Sequence, residues 1–254
     1  MVKAHKSSLT YTITYVKAEP GDVVGKVTEE QLRRIQIRET ILSHIERERQ
    51  LFYKGIKVLS LFFIDEVAHY KQYDAAGQPH NGIFADMFEE EYNDILSTMQ
   101  LGIGEDEYLK YLKSIKAEDT HAGYFSVDKK GHMTDSKLGD KKERTSDDKD
   151  AYDLIMRDKE RLLSLDEPVR FLFSHSALRE GWDNPNVFQI CMLKPQTESE
   201  IRSRQEIGRG LRLCVNQEGE RMDESVLGGA VQELNKLTLI TDMEFGRFAE
   251  ALQQ

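Results

Sequence analysis

Hydrophobic positions recur along the chain with two different periods, and each period predicts one kind of element. Residues 9–16 alternate apolar and polar side chains, which is typical of a half-buried strand. Residues 28–53 carry apolar side chains near helical spacing, and Thr28 in the N-cap position predicts where this long helix begins. Apolar runs predict buried strands at 57–64, 171–173 and 187–193. The run at 57–64 is apolar on both faces, as in a parallel sheet.

The remaining pattern predicts further helices and one more strand. Helices are predicted at 84–99, 105–115, 151–165, 197–211 and 242–252, and a strand at 237–240. Strands that alternate with helices are the layout of an α/β domain. Residues 71–150 differ in character, because they hold an acidic helix and a stretch, 128–150, that is nearly all charged, Gly, Ser or Thr and is expected to be mobile. We interpret this block as an insertion that could contact a partner subunit, although a spacer is the simpler interpretation.

Length and composition restrict the class of protein. The 254 residues fit one large domain, or one domain with an insertion. No apolar run approaches the ~20 residues of a membrane span and the amino terminus lacks a signal-peptide core, so we expect no membrane partner and a cytoplasmic location. Two cysteines without CxxC spacing argue against a disulfide framework or a zinc site. The net charge of −10 argues against a protein that holds DNA by bulk electrostatics.

The predicted helix at 197–211 carries candidate phosphate-binding residues. Arg209 and Arg212, the latter at the helix end, lie three residues apart, so both can point at one ligand. The planar fork of arginine is always charged and pairs bidentately with phosphate oxygens. Gly208 costs about 1 kcal/mol relative to Ala inside a helix, and the close approach of another surface would explain it. The alternative is a solvated basic helix face.

The polar loop between the strands at 171–173 and 187–193 holds a second candidate group, Arg179-Glu180-Gly181-Trp182-Asp183. Gly181 frees the backbone for an unusual turn, and Asp183 can accept hydrogen bonds from a ribose or from an arginine. Trp182 could simply be part of the core.

These stretches resemble the signature motifs of superfamily 2 helicases. Residues 179–183 resemble motif V, and residues 205–212 (QEIGRGLR) fit the Q-x-x-G-R-x-x-R pattern of motif VI. Residues 57–64 resemble motif IV. The sequences SHSALREGWDNPNVFQI and RQEIGRGLRL are most similar to the motor subunit of type III restriction enzymes. The resemblance covers most of residues 32–251.

The resemblance implies a fold and a set of roles. The fold is a RecA-like three-layer αβα domain with a mostly parallel central sheet and a partly disordered insertion, and the whole chain, 1–254, is one helicase C-terminal domain. ATP and Mg²⁺ would bind between this domain and a first RecA-like domain of the same parent chain, which brings the phosphate loop and the Mg²⁺ ligands. The implied residues are the arginine fingers Arg209 and Arg212, the ATP-binding Gly181, Asp183, Gln205 and Gly208, and Arg179 and Glu180 toward DNA.

The implied activity is that of a type III restriction endonuclease, which hydrolyses ATP as a helicase or translocase and cleaves DNA. Its partners would be duplex DNA and a modification (methyltransferase) subunit. Gln36 and Arg38 on the long helix could also face DNA or nucleotide, although a solvated face is the simpler interpretation. The alternatives are the motor domain of another superfamily 2 helicase, as in repair, and a non-catalytic module that binds another subunit.

Two short matches depart from the motifs that they resemble. Residues 21–26 (GDVVGK) have three residues between the glycines instead of four, and Val27 follows Lys26 where a phosphate loop needs Ser or Thr. Residues 65–69 (DEVAH) look like a Mg²⁺-binding D-E-A-H box with an extra Val, and we expect no metal there. No Pro-Asp…Glu-x-Lys nuclease signature occurs. The chain is therefore expected to be a second motor domain that is inactive alone.

Overall fold

The computed structural model describes residues 2–6, 9–15, 28–99, 106–127, 132–135, 158–174, 184–194 and 212–241. The strands within these ranges are β1 (Val2–Lys6), β2 (Leu9–Tyr15), β3 (Leu59–Phe63), β4 (Lys71–Tyr73), β5 (Pro79–Asn81), β6 (His121–Tyr124), β7 (Ser126–Val127), β8 (Met133–Thr134), β9 (Phe171–Ser174), β10 (Val187–Met192) and β11 (Leu237–Ile240). The helices are α1 (Glu29–Phe52), α2 (Ile83–Thr98), α3 (Glu107–Lys113), α4 (Lys159–Leu163), α5 (Glu224–Leu227) and α6 (Val231–Leu234), with 3₁₀ turns at Val67–His69, Ala117–Asp119 and Gly228–Ala230.

A seven-stranded sheet forms the centre of the domain. Its strand order is β1-β2-β11-β10-β3-β9-β6. Every neighbouring pair from β2 to β6 is parallel, and β1 alone runs antiparallel, against β2. Helices α1 and α2 cover one face, and α4 contributes Leu162 to the core on the other. The prediction of an α/β, RecA-like fold with a mostly parallel sheet is confirmed.

The central strand β3 shows why the apolar runs become interior strands. Leu61 and Phe63 pack into the apolar cluster on one face, and Phe62 and the following Ile64 pack into the cluster on the other. All four side chains are at most 1% exposed. Because successive side chains of a strand point to opposite faces, only a continuous apolar run can fill both layers.

Helix α1 matches its predicted bounds because its first turn is capped as the sequence indicates. The Thr28 hydroxyl accepts a hydrogen bond from the Gln31 N–H at 3.2 Å, and the Gln31 side chain accepts one from the Thr28 N–H at 3.0 Å. This reciprocal capping box satisfies two N–H groups that the helix itself leaves unpaired.

Gln36 and Arg38 on α1 make contacts inside the protein. The buried Gln36 amide donates to the Met192 carbonyl at 3.2 Å. Arg38 pairs with Glu91 and with Asp94, 2.7 Å away, both on α2. The acidic face of α2 is thus partly neutralised by arginines of α1. The contacts of Gln36 and Arg38 within the protein account for both side chains without a bound ligand.

Part of the block at 71–150 belongs to the core of the domain. Phe88 and Tyr92 of α2 are fully buried and pack against Phe171 of the central sheet. Strand β6 extends the sheet beyond β9. A spacer would do neither, so the part of this block from α2 to β6 is structural, while the insertion boundary itself stays a prediction. Within the stretch at 128–150, β8 pairs with β7, and residues 128–131 and 136–150 lie outside the described residues.

Several predicted elements cannot be compared with the structure. The helices predicted at 197–211 and 242–252 and the GDVVGK stretch at 21–26 lie outside the described residues, as do residues 151–157 of the predicted helix at 151–165. Strand β1 was not predicted. Among the helices that are described, none combines the length and the apolar character needed to cross a membrane.

Candidate functional site

The stretches that carry the two motifs leave the sheet from the same edge. Strands β9 and β10 are the two neighbours of β3, and both run parallel to it. Residues 175–183 follow the carboxyl end of β9, and residues 195–211 follow Leu193 and Lys194 after β10. Since adjacent strands lie about 4.8 Å apart, the two stretches start within about 10 Å of each other. Both stretches end at the opposite edge, because residues 184–186 precede β10 and the segment after Arg212 packs at the amino-terminal ends of the strands.

In the loop that follows β3 at this edge, the carboxylate of Asp65 contacts neighbouring residues of the same loop. One Asp65 carboxylate oxygen accepts from the Glu66 N–H at 2.9 Å and lies 2.6 Å from the His69 Nδ1. The Val67 N–H donates to the Asp135 carboxylate at 2.8 Å, which ties the loop to the β7–β8 hairpin. Within the ranges that the structure describes, no three His, Cys, Asp or Glu side chains are grouped to hold a metal ion. The pair Asp65 and His69 thus orders the turn that follows β3.

Arg212 is the one predicted site residue that the structure describes. It lies in a bend, its side chain is exposed, and its guanidinium has no ion-pair partner among the described residues. The other predicted site residues lie outside the described residues: Arg179, Glu180, Gly181, Asp183, Gln205, Gly208 and Arg209. The proximity of Arg209 to Arg212 therefore stays a prediction.

The chain after Arg212 is fixed to the amino-terminal ends of the strands. The Cys214 side chain is fully buried in an apolar cluster with Leu51, Ile56 and Val58. The Cys214 N–H donates to the Asn235 side-chain oxygen at 2.8 Å. Burial also raises the pKa of the Cys214 thiol to about 12, so it stays protonated. Arg212 thus projects from a segment whose backbone is held in place.

A second anchor of the same segment is Asn186, which directly precedes β10. Its side chain accepts from the Val215 N–H at 2.8 Å and donates to the Val215 carbonyl at 2.9 Å. Sequence reasoning did not identify this residue, because Asn-Pro-Asn is also the composition of an ordinary turn. Only the pairing across 29 residues separates the two interpretations.

A buried polar network lies at the same end of the sheet, under α1. Glu48 and Arg170 are both completely buried, with 3.0 Å between the Glu48 Oε2 and the Arg170 Nη1. The Tyr108 hydroxyl donates to the same carboxylate at 3.0 Å, and Arg170 also donates to the Tyr111 hydroxyl at 2.9 Å. Burial alone would raise the pKa of Glu48, but the Arg170 guanidinium and the hydrogen bonds to the carboxylate outweigh it and lower the pKa to about 2.

Lys57 belongs to this network and is also buried. Its ammonium donates to the Glu167 carbonyl, and burial together with the Arg170 charge lowers the pKa of Lys57 to about 7. Perturbed pKa values often mark active sites, but structural ion-pair networks perturb them too. Because Glu48, Arg170 and Lys57 are each 0% exposed, no ligand can reach them, and the network stabilises the fold.

Comparison with known proteins gives consistent relatives. No protein-family model matches the chain. The chain is 40% identical over 187 residues to the Res subunit of the type III restriction-modification enzyme EcoP15I of Escherichia coli, and this match covers 71% of this chain and 17% of that subunit.

Two further relatives carry the same description. The chain is 40% identical over 186 residues to the EcoPI Res subunit of Escherichia phage P1, covering 71% of this chain and 17% of that subunit. It is 33% identical over 211 residues to the StyLTI Res subunit of Salmonella typhimurium, covering 74% of this chain and 20% of that subunit. The chain thus spans a fifth or less of the length of these relatives, and over that part it is a homologue of the Res subunits of type III restriction-modification enzymes.

Proposed function

We propose that this chain is the second RecA-like motor domain of a Res subunit, in a parent protein that hydrolyses ATP to act on duplex DNA and cleaves it. The names of the relatives support a restriction-enzyme subunit, and the parallel α/β sheet supports a motor domain. Because the chain spans so little of those relatives, the nuclease and the first motor domain would lie elsewhere in the parent. A modification subunit is the proposed protein partner.

The proposed contribution of this domain is positive charge for the ATP site between the two lobes. Arg209 and Arg212 would approach the γ-phosphate as negative charge builds on it, and Gly181, Asp183, Gln205 and Gly208 would line the nucleotide. The observation that carries the proposal is the exposed side chain of Arg212 on an otherwise fixed segment. An arginine that stabilises a transition state must reach the neighbouring domain yet start from a rigid base.

ATP and Mg²⁺ enter this proposal as ligands shared with the first domain. The guanidinium of Arg212 is exposed and has no ion-pair partner within the described ranges, which suits a phosphate oxygen, since arginine binds phosphate bidentately. Mg²⁺ would supply charge neutralisation at the phosphates when bound, and its ligands are assigned to the first domain. The isolated chain should therefore hydrolyse no ATP, and clear turnover by it would contradict the half-site interpretation.

The carboxyl edge after β9 is the proposed DNA-facing side of the domain. Arg179 and Glu180 follow the end of β9 by five and six residues, so they belong to the stretch that leaves this edge. A local contact of this kind is compatible with a chain of net charge −10, because it needs few phosphate contacts.

The decisive experiment is ATPase turnover of the full-length parent, with and without duplex DNA, for Arg212→Ala and Arg209→Ala. An arginine finger is worth roughly 10³–10⁵ in kcat, so each variant should lose most DNA-stimulated turnover while its thermal midpoint stays near that of the wild type. Arg221→Ala is the matched control, because Arg221 is exposed on the same loop nine residues after Arg212. Near-normal turnover of both Arg209→Ala and Arg212→Ala would overturn the assignment.

A further inference from the structure

The buried side chain of Asn186 joins two segments that are distant in sequence. Its oxygen and its nitrogen bond to the N–H and to the carbonyl of the same residue, Val215, as a neighbouring strand would. Asn186 is itself held in place, because its N–H donates to the Asn184 side chain at 3.0 Å and its carbonyl accepts from the Leu59 N–H at 2.9 Å. The side chain therefore transmits the position of strand β3 to Val215.

The two joined segments are the exits of the two motif stretches. Asn186 comes three residues after Asp183, and Val215 comes three residues after Arg212. Three residues span at most about 10 Å, so a shift of Val215 reaches the base of the Arg212 side chain directly. The intervening Cys214 is fully buried, which leaves little slack between them.

We propose that Asn186 is a positioning residue, which sets the place of Arg212 in the ATP site and couples it to the strand that follows motif V. The inference rests on the proposed function, since it assumes that Arg212 acts on ATP. A displacement of about 1 Å in such a site can cost roughly 10²-fold in rate. Loss of the Asn186 amide would release both polar groups of Val215 and let the segment move.

The alternative is that Asn186 only stabilises the fold, and a matched variant separates the two roles. Gln189 lies three residues after Asn186, in β10, and its amide is also buried. That amide accepts from the Ser60 hydroxyl at 2.9 Å and donates to the Ser43 carbonyl at 3.4 Å, so it bonds toward β3 and α1 and not toward Val215. Gln189→Leu therefore removes comparable buried hydrogen bonds without touching the segment after Arg212.

The first test compares Asn186→Leu with Gln189→Leu in the full-length parent, by kcat and KM for ATP at saturating DNA. Asn186→Leu should lose roughly tenfold or more in kcat with KM within about threefold, because a transition-state contact is affected and ground-state binding is not. Gln189→Leu should stay within about threefold of the wild type in kcat at a similar loss of thermal midpoint. Equal losses of kcat in both variants would overturn the proposal.

Asn186→Asp keeps the inference testable if Asn186→Leu does not fold. Aspartate keeps the oxygen that accepts from the Val215 N–H and loses the donor to the Val215 carbonyl, so an intermediate loss of kcat is expected. Wild-type kcat in a folded Asn186→Asp variant, with Asn186→Leu unfolded, would also count against a positioning role.

A double-mutant cycle with Arg212→Lys supplies a readout that a purely structural role does not move. Lysine keeps the charge and loses the fork, so the double variant Asn186→Leu/Arg212→Lys should be no more than about twofold slower than Arg212→Lys alone. If the fold losses of kcat in the two single variants multiply in the double variant, Asn186 acts independently of Arg212, and the proposed coupling is contradicted. Near-normal turnover of both Arg209→Ala and Arg212→Ala would instead contradict the proposed function, so the two failures are distinguishable.

Discussion

Breaking the buried pair of Glu48 and Arg170 offers a quantitative test of what holds the domain together. We choose Glu48→Gln, because the amide keeps the shape of the side chain and still accepts a hydrogen bond from the Tyr108 hydroxyl. What it removes is the charge that faces the Arg170 guanidinium at 3.0 Å. Both side chains are completely buried, so water cannot replace the lost partner.

Two routes give the same size of effect. Removing one partner of a buried ion pair costs about 3–5 kcal/mol, because the other charge stays buried and unpaired. The pKa of Glu48 falls from 4.5 to about 2 on folding, and that difference corresponds to about 3 kcal/mol of stability. We therefore expect Glu48→Gln to lower the free energy of unfolding at pH 7 by about 3–5 kcal/mol.

The pH dependence has a defined sign. Because the pKa of Glu48 is lower in the folded chain than in the unfolded chain, its contribution is present above about pH 4.5 and is lost as the pH falls toward 2. Urea unfolding of the wild-type chain and of Glu48→Gln, followed by circular dichroism between pH 7 and pH 3, should show the gap between them narrowing below pH 4.5. Glu118→Gln, which breaks the exposed pair with Lys116, should leave the urea midpoint unchanged.

A second substitution tests whether the penalty comes from the unpaired Arg170 charge. Replacing Arg170 by Met in the Glu48→Gln background removes that charge, so the double variant should recover a large part of the lost stability. The reasoning would be refuted if Glu48→Gln cost less than about 1 kcal/mol, or if the losses of the two single variants simply added.

Two further variants test other contacts by urea unfolding. The first variant is Lys57→Met. Because the pKa of Lys57 is about 7 in the folded chain and 10.5 in the unfolded chain, the free energy of unfolding of the wild type should rise by about 2 kcal/mol relative to Lys57→Met between pH 7 and pH 9. Parallel plots of unfolding free energy against pH for the two proteins would contradict this. Gly82→Ala would place a Cβ 2.3 Å from the Ala68 carbonyl oxygen and should cost about 1–3 kcal/mol. Gly229→Ala is its control, because an added Cβ there meets nothing within 4 Å, and similar losses in both would show that the close approach is not the cause.

The elements that could be predicted are those whose signal is local. Helix α1 begins at its capping box, and strands β3, β10 and β11 coincide with apolar runs because interior parallel strands are buried on both faces. Strand β6 carries no such local signal, since its sequence, HAGY, has neither alternation nor an apolar run. It becomes a strand because β9 offers a free edge beside it, which is a tertiary cause.

The same distinction between local and long-range signals applies to the residues at the amino-terminal ends of the strands. Arg212 was predicted from a motif, which is a local spacing, and its role stays a prediction, whereas Asn186 and Arg170 contact partners 29 and 122 residues away. Arg170 stands directly before the apolar run of β9, where a charged side chain is unusual, and that position was a usable signal of a buried partner. No such signal marks Asn186, because an asparagine beside a proline is what a turn requires.

The amino-terminal ends of the strands explain how an exposed arginine can have a rigid base. The segment after Arg212 packs on Leu51 and Ile56, at the end of α1 that also carries Glu48. Apolar packing alone keeps two segments in contact but lets them slide past each other, whereas hydrogen bonds and ion pairs also fix their relative orientation. If Arg212 supplies charge to a neighbouring domain as proposed, buried polar groups at the same end of the sheet help to keep its backbone in place. The Glu48 network and the Asn186 amide both lie at this end of the sheet, so the same end that stabilises the fold also supports Arg212.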